Sequence, residues 1–292
     1  VTQLAQALQE KGFHYTVQYV SQINGEQILQ LGSRYYTVMK AIDGRESDHT
    51  SLSDIKKSAQ ALAKFHLAAQ GFFNPSEMVR NKPPLLEKWE ERYAQFEKIS
   101  QQISRRGPQN RMEQLIAGMS KEIKRDSFDV ISRAASLPLD RVMEHAHFNG
   151  TMAHRDVASH NFLLNDQGDC YLIDLDTVAH DMQLVDLVQF MGRMLLLQGY
   201  SVQAFVEAIN AYTKVKHLSD GEIWLIHQLL RYPDNFLREV TGVYAKRPGY
   251  KAKGVYQLLQ LENRYRRERR SLLQAGDLIF RDPSWGYYQI SN

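Results

Sequence analysis

The sequence predicts an α+β fold: a small antiparallel β lobe, then a large, mainly helical lobe with one β-hairpin set among its helices. Three observations predict it. Residues 13–42 are rich in β-branched and aromatic side chains and contain a hairpin turn signal. From Ser51 onward, apolar residues recur at helical spacing almost to the end of the chain. Between residues 162 and 173, two short apolar runs flank a cluster of turn residues. The predicted boundaries are 1–43 for the small lobe and hinge, and 44–292 for the helical lobe.

Val1 to Lys11 reads as a helix, with Leu4, Ala5 and Leu8 on one face and Gly12 as its stop. Tyr15 to Val20, Gln27 to Leu31 and Tyr35 to Met39 read as strands, with Asn24-Gly25 as a hairpin turn and Asp43-Gly44 as the closing turn. Ser51 or Ser53 can cap a helix running to about Gln70. Pro75 to Pro84 reads as a loop. Leu86, Trp89, Tyr93 and Phe96 then form a helical stripe that Gly107-Pro108 breaks, and Met112, Leu115, Met119 and Ile123 form the next. Ile131 to His145 is helical, with an interruption near Pro138. Leu184 to Leu197 is apolar on nearly every face, which predicts a buried helix. Helices at about 201–216, 219–241 and 252–274 complete the pattern.

Composition removes several classes. The chain has 292 residues, 43% hydrophobic and 24% charged, which is ordinary for a globular protein and excludes disorder as the main theme. Lys and Arg total 36 against 33 Asp and Glu, so net charge gives no case for nucleic acid as a partner. The single cysteine, Cys170, allows no internal disulfide, which fits synthesis in the reducing cytoplasm. No apolar run approaches the roughly 20 residues of a membrane span, so no membrane partner is expected.

The chemistry lies in His154-Arg-Asp-Val-Ala-Ser-His-Asn161, followed by Cys170-Tyr-Leu-Ile-Asp174-Leu-Asp176. A hairpin centred between Gln167 and Gly168 sets Asn161 directly opposite Asp174 at its open end. An amide oxygen beside a carboxylate makes half of a hard-cation site, and Mg²⁺ takes such ligands together with substrate phosphates. Asp176 shares the face of Asp174 if the strand continues. Asp156, on the loop entering the hairpin, is placed to accept a hydroxyl proton during phosphoryl transfer. His154-Arg155-Asp156, Asn161 and Asp174 together match the spacing of a kinase catalytic loop and its metal-binding Asp.

With these residues the chain resembles the aminoglycoside and choline kinase-like branch of the protein-kinase fold. Within that branch it is most similar to the CotS-like family of spore-coat-associated proteins. Tyr171 to Val178 with Asp181, and Asp186-Leu187, carry the resemblance further. So do Tyr36 to Gly44, similar to the strand entering the interlobe hinge, and Leu62-Ala-Lys-Phe-His66, similar to the first large-lobe helix. The resemblance implies a two-lobe fold, ATP and Mg²⁺ as cofactors, and a small hydroxylated acceptor. It implies Asp156 as catalytic base and Asn161 and Asp174 as metal ligands. The hinge backbone of Met39, Lys40 and Ala41 would face adenine. His154 would support the catalytic loop, and Asp186 would brace it by hydrogen bonds to its backbone. It also implies a spore-coat location, with other coat proteins as partners, and it admits an inactive structural component as the alternative. The family's phosphate-covering loop and phosphate-binding Lys would precede Val1. The sequence contains neither, and the helix at 1–11 carries Thr2, Gln3 and Gln6 where an acidic residue is often found.

Other features have plainer readings. His145 and His147 diverge on a helix and read as a helix end rather than a metal pair. His180-Asp181 lacks a second His at helical spacing to complete a metal site. The arginines at 264–270 read as a solvated helix face. The aromatic tail from Phe280 to Tyr288 reads as docked back on the domain, and Cys170 as packed in the hairpin.

Overall fold

The computed structural model describes residues 1–73 and 84–280. Helix α1 (Thr2–Glu10) buries Ala5 and Leu8, at the spacing the sequence predicts. Residues 13–42 form less sheet than their composition suggests. Strands β1 (Leu29–Leu31) and β2 (Arg34–Tyr36) make a short ladder with Leu31 opposite Arg34. The Tyr15–Val20 run meets its partner only at a bridge between Tyr19 and Met39. There the Val20 N–H donates to Val38 O at 2.8 Å and the Lys40 N–H to Gln18 O at 2.9 Å. Asn24-Gly25 does turn the chain, with Gly25 at φ +87°.

Asp43-Gly44 is not a turn. The chain passes without an assigned turn into β3 (Arg45–Glu46), which pairs with residues 163–164 of the later hairpin. A Cβ at Gly44 would lie 2.7 Å from Leu164 O, so glycine is needed here for close backbone approach rather than for turning.

Helix α2 (Leu52–Ala68) is capped by Ser51, whose Oγ accepts the Asp54 N–H at 3.3 Å. The loop expected at Pro75 to Pro84 lies outside the described residues except for Pro84, the first residue of α3 (Pro84–Arg106). Helix α4 (Arg111–Arg133) follows, with Asn110 as its cap. Its buried stripe is Ile116, Met119 and Ile123; Met112 and Leu115 are only half-buried. A 3₁₀ turn at Ala134–Ser136 precedes α5 (Leu139–Phe148), the interruption expected near Pro138.

Four short strands then frame the candidate site: β4 (Met152–Ala153), β5 (Phe162–Leu164), β6 (Cys170–Leu172) and β7 (Ala179–His180). Helices α6 (Leu184–Leu197) and α7 (Val202–Thr213) follow. The single helix expected at 219–241 is two, α8 (Asp220–Leu229) and α9 (Asp234–Tyr244). Pro233 lies at the break; it has no N–H to donate and disfavours helix at the residue before it. The helix expected at 252–274 is also two, α10 (Ala252–Arg264) and α11 (Arg266–Ile279), separated by Tyr265 at φ −99° and ψ +20°.

The chain forms two compact units. The first combines the N-terminal part with residues 145–190 and 206–217; the second holds α3, α4, residues 191–205 and the helices from α8 onward. In the first, Phe13 meets Phe65 edge-on at 6.0 Å and Phe162 meets Phe190 at 5.9 Å, with Leu62 and Leu172 fully buried. In the second, α3 packs on α4 and α9. Trp89 stacks on Tyr232 at 4.2 Å, and the Tyr232 O–H donates to Trp89 O.

Glu113 locks the α3–α4 turn. Its carboxylate accepts two N–H groups of Arg106, the Gln109 N–H and the Tyr244 O–H. Those donors, Arg106 foremost, hold its pKa down at about 2. The arginine cluster is not simply a solvated face. Arg266 and Arg270 pair with Glu122, and Arg269 pairs with Asp126, both acids on α4. The aromatic tail beyond Phe280 lies outside the described residues.

Candidate active site

All of the site lies within the first unit. Strands β4 and β7 pair antiparallel, Met152 opposite His180 and Ala153 opposite Ala179. This ladder fixes both ends of the segment from 154 to 178.

His154 begins the loop and is completely buried. Its Nε2–H donates to Ile173 O at 2.9 Å, since a carbonyl can only accept. Nδ1 is buried without a hydrogen-bond partner among the described residues. The His154 carbonyl accepts the Thr177 O–H at 2.6 Å, and its ring stands edge-on to Phe65. One residue thus ties the entry of the loop to the segment after the hairpin.

Asp186, in the first turn of α6, holds the loop backbone. Its carboxylate accepts the His154 N–H at 2.6 Å and the Arg155 N–H at 2.7 Å. It also bonds His66 Nε2 at 2.9 Å, while His66 Nδ1 faces the Tyr212 hydroxyl at 2.7 Å. Burial holds the His66 pKa below its ordinary value despite Asp186 beside it, so the ring is neutral. The neutral ring donates to Asp186 and accepts from Tyr212. Three donors therefore surround one fully buried carboxylate, the condition under which a buried charge is tolerated.

Arg155 has φ +67°, a left-handed conformation costly for a side chain with a Cβ. Its Nε lies 3.7 Å from the buried Asp181 carboxylate. Asp156 follows, half-buried, and its carbonyl accepts the Asn161 Nδ2–H at 2.9 Å. The structure therefore brings Asp156 and Asn161 together across the loop. The Asn161 carbonyl accepts the Ile173 N–H at 2.9 Å, which joins the loop to the second strand of the hairpin.

The hairpin register differs from the sequence expectation by one residue. Phe162 faces Leu172 and Leu164 faces Cys170, so Asn161 lies opposite Ile173 and not Asp174. The loop is the cause. Asn165 N–H bonds Asp169 O, and Gly168 at φ +87° closes an odd, three-residue loop, whereas the expected centre required an even one. The strand also ends at Leu172. Asp174 takes φ +62° and starts a 3₁₀ turn at Leu175–Thr177, so Asp176 does not share its face by strand alternation.

Asp174 and Asp176 nevertheless share one electrostatic neighbour, Tyr19. Both carboxylates raise the pKa of the Tyr19 phenol, behind the effect of its own burial. Tyr19 is also the residue bridged to Met39. Tyr19 is thus paired with Met39 through its backbone, while its phenol feels both carboxylates. Met39, Lys40 and Ala41 are exposed. The Lys40 N–H is taken by Gln18, which leaves the Met39 N–H and C=O outside the pairing.

Among the described residues, no group of three or more His, Cys, Asp or Glu is gathered to hold a metal ion, so Asn161 and Asp174 could offer a cation oxygen donors only as a partial set. Asn161 Oδ1 and the Asp174 carboxylate carry no hydrogen bond among the described residues, and both are oxygen ligands of the type Mg²⁺ prefers. Cys170 is buried, and burial pushes its thiol up to about 12, so it is no nucleophile. His145 shares Asn149 as a hydrogen-bond partner within its own helix end.

The sequence reading missed the roles of Tyr19, Thr177 and Tyr212. Tyr212 lies far along the chain from the loop it supports, and a tyrosine on an apolar helix carries no local signal. Tyr19 could have been suspected only as the tyrosine opposite the hinge strand.

Residues 1–119 match the family described as "Spore coat putative kinase YutH". No curated protein matches the sequence. Among solved structures, an aminoglycoside phosphotransferase from Alicyclobacillus acidocaldarius is similar with a TM-score of 0.82 at 18% identity, over 96% of this chain and 82% of that one. A spectinomycin phosphotransferase solved with ADP and spectinomycin gives 0.61 at 13% identity, over 89% and 77%. A choline kinase from Cryptosporidium parvum gives 0.54 at 12%, over 97% and 80%. At these identities the likeness establishes the fold. The chain thus has the aminoglycoside phosphotransferase and choline kinase-like fold, and its first 119 residues are similar to the family described as spore coat putative kinase YutH.

Proposed function

We propose that the protein is an ATP- and Mg²⁺-dependent phosphotransferase acting on a hydroxyl group of a small molecule. One observation supports this reading: Asp186 holds the backbone of His154 and Arg155, and so fixes the strained turn immediately before Asp156. Backbone strain that the surroundings over-determine is characteristic of catalytic segments.

Asp156 orients the acceptor hydroxyl and takes its proton. Asn161 and Asp174 hold Mg²⁺, which when bound neutralises charge on the phosphates. The exposed backbone of Met39 and Ala41 meets the adenine edge, and Tyr19 borders the phosphate side of the site. The chain's own contribution is positioning and fixed electrostatics. The ADP bound by the spectinomycin enzyme, on the same fold, supports a nucleotide here.

A second reading is a catalytically inactive component of the spore coat that contacts other coat proteins. The composition of α1 favours it. The only acidic residue of α1 is Glu10, at its end and bonded to Gln6, so its first turns offer no carboxylate to a phosphate-binding Lys.

Calorimetric titration of Mg-ATP into the full encoded chain separates the two. Metal-dependent binding that Asp174→Ala abolishes supports the phosphotransferase and justifies an acceptor screen. Absence of heat and of thermal stabilisation by Mg-ATP supports the inactive reading.

A further inference from the structure

Two recesses border α4 in the second unit, and they differ in how their charges are matched. One, of about 370 Å³, is lined by Arg231, Arg269 and Arg270 together with their own carboxylates. Arg231 pairs with Asp277, Arg269 with Asp126 and Arg270 with Glu122. Arg125 also pairs with Asp126, so four of its five lining arginines have a carboxylate partner.

The other, of about 590 Å³, lies between α3 and α4 and is lined by Arg105, Lys121 and Lys124 with Ser100, Ser104 and Ser120. No acidic side chain lines it. None of the three cations has an ion-pair partner among the described residues. The recess exists because Ser100, Ala117 and Ser120 are small where the helices meet, over the buried side chain of Ile103. Ser100 donates to Ser120 Oγ at 3.2 Å, and Ser120 donates to Ile116 O at 2.8 Å, so the floor is fixed. Lys121 and Lys124 stand one helical turn apart on one face of α4. Arg105, on α3, lines the same recess.

Three like charges line one recess with no carboxylate beside them, an arrangement that an anion would complement. The volume is that of a small-molecule site rather than a flat macromolecular surface. A guanidinium, two ammonium groups and hydroxyl donors are the groups that bind phosphate and carboxylate oxygens. We propose that this recess binds a small polyanion bearing at least two phosphate or carboxylate groups, at a site separate from the residues of the candidate active site.

The test is calorimetry with inorganic pyrophosphate and, separately, with citrate, on the full chain in buffer stripped of divalent metal. Without metal, the acidic Asp174 and Asp176 do not draw phosphate, so the result is independent of the proposed catalysis. The expected result is saturable one-site binding. It should weaken at least tenfold in Lys121→Gln/Lys124→Gln and in Ser104→Trp, which fills the recess from an exposed position. It should be unchanged in Lys253→Gln, an exposed lysine of α10. The stronger of the two probes identifies the anionic group. Absence of saturable heat with both probes overturns the proposal. So does binding that the double variant retains, or that Lys253→Gln weakens equally.

Discussion

The Asp186 carboxylate accepts the backbone N–H of Arg155 at 2.7 Å, and Arg155 is held at φ +67°. A left-handed conformation costs such a residue about 1–2 kcal/mol. The carboxylate offsets that cost with charge-assisted bonds to Arg155 and His154, and His66 completes its shell. Asp186→Asn keeps the shape but turns an amide nitrogen toward a backbone N–H, which cannot accept. We expect a loss of about 2–4 kcal/mol in unfolding free energy. We also expect phosphate transfer to fall at least ~100-fold. Denaturant unfolding and ADP release check the two parts. Wild-type values in both would remove Asp186 from the account.

Gly168 sets the hairpin register by closing a three-residue loop at φ +87°. Substitutions there should destabilise in the order Val, Ala, Asn, because Asn tolerates the left-handed region best. The expected span is roughly 1–3 kcal/mol. Thermal unfolding of the three variants tests the order. Equal stability in all three would contradict the loop geometry.

That register is also where the sequence was least legible. The apolar runs, the turn residues and the His-Arg-Asp and Asn spacing all marked a hairpin at the right place. Turn composition does not distinguish a loop of two or four residues from one of three, and a difference of one moved Asp174 off the ladder. Helix breaks show the same limit. Pro233 was legible in principle, while Tyr265 has no chemistry that announces a break. Long-range supports such as Tyr212 on His66 depend on which helices pack together, which the local pattern does not encode. The arginine cluster read as solvated because its partners, Glu122 and Asp126, are far away in sequence.

Gly276 of α11 sits against His227 of α8, and a Cβ there would land on the imidazole. An exposed helical Gly→Ala change normally gains about 1 kcal/mol. Here the sign should reverse, with Gly276→Ala destabilising by roughly 1–3 kcal/mol through overpacking. Equilibrium unfolding decides it; a gain in stability would mean the two helices are not in contact.

The same imidazole predicts a pH dependence. Burial, with Arg231 second, lowers the His227 pKa to about 4. The unfolded chain therefore binds this proton more readily than the folded one. Stability should be full above about pH 6.5 and should decline as pH falls toward 4. The total loss from this group is up to about 3 kcal/mol. An NMR titration of the ring follows it directly. Titration near the unperturbed value of about 6.5 would contradict the burial.

The measurement that bears most directly on the central claim compares Asp156→Asn with wild type in two assays on the full encoded chain: Mg-ATP binding and ADP release across a panel of hydroxylated acceptors. If the braced loop presents Asp156 as the proton acceptor, Mg-ATP binding should stay within about threefold, while turnover should fall by about 10²–10⁴-fold. Unchanged turnover in Asp156→Asn, or an absence of metal-dependent Mg-ATP binding in the wild type, would contradict the account.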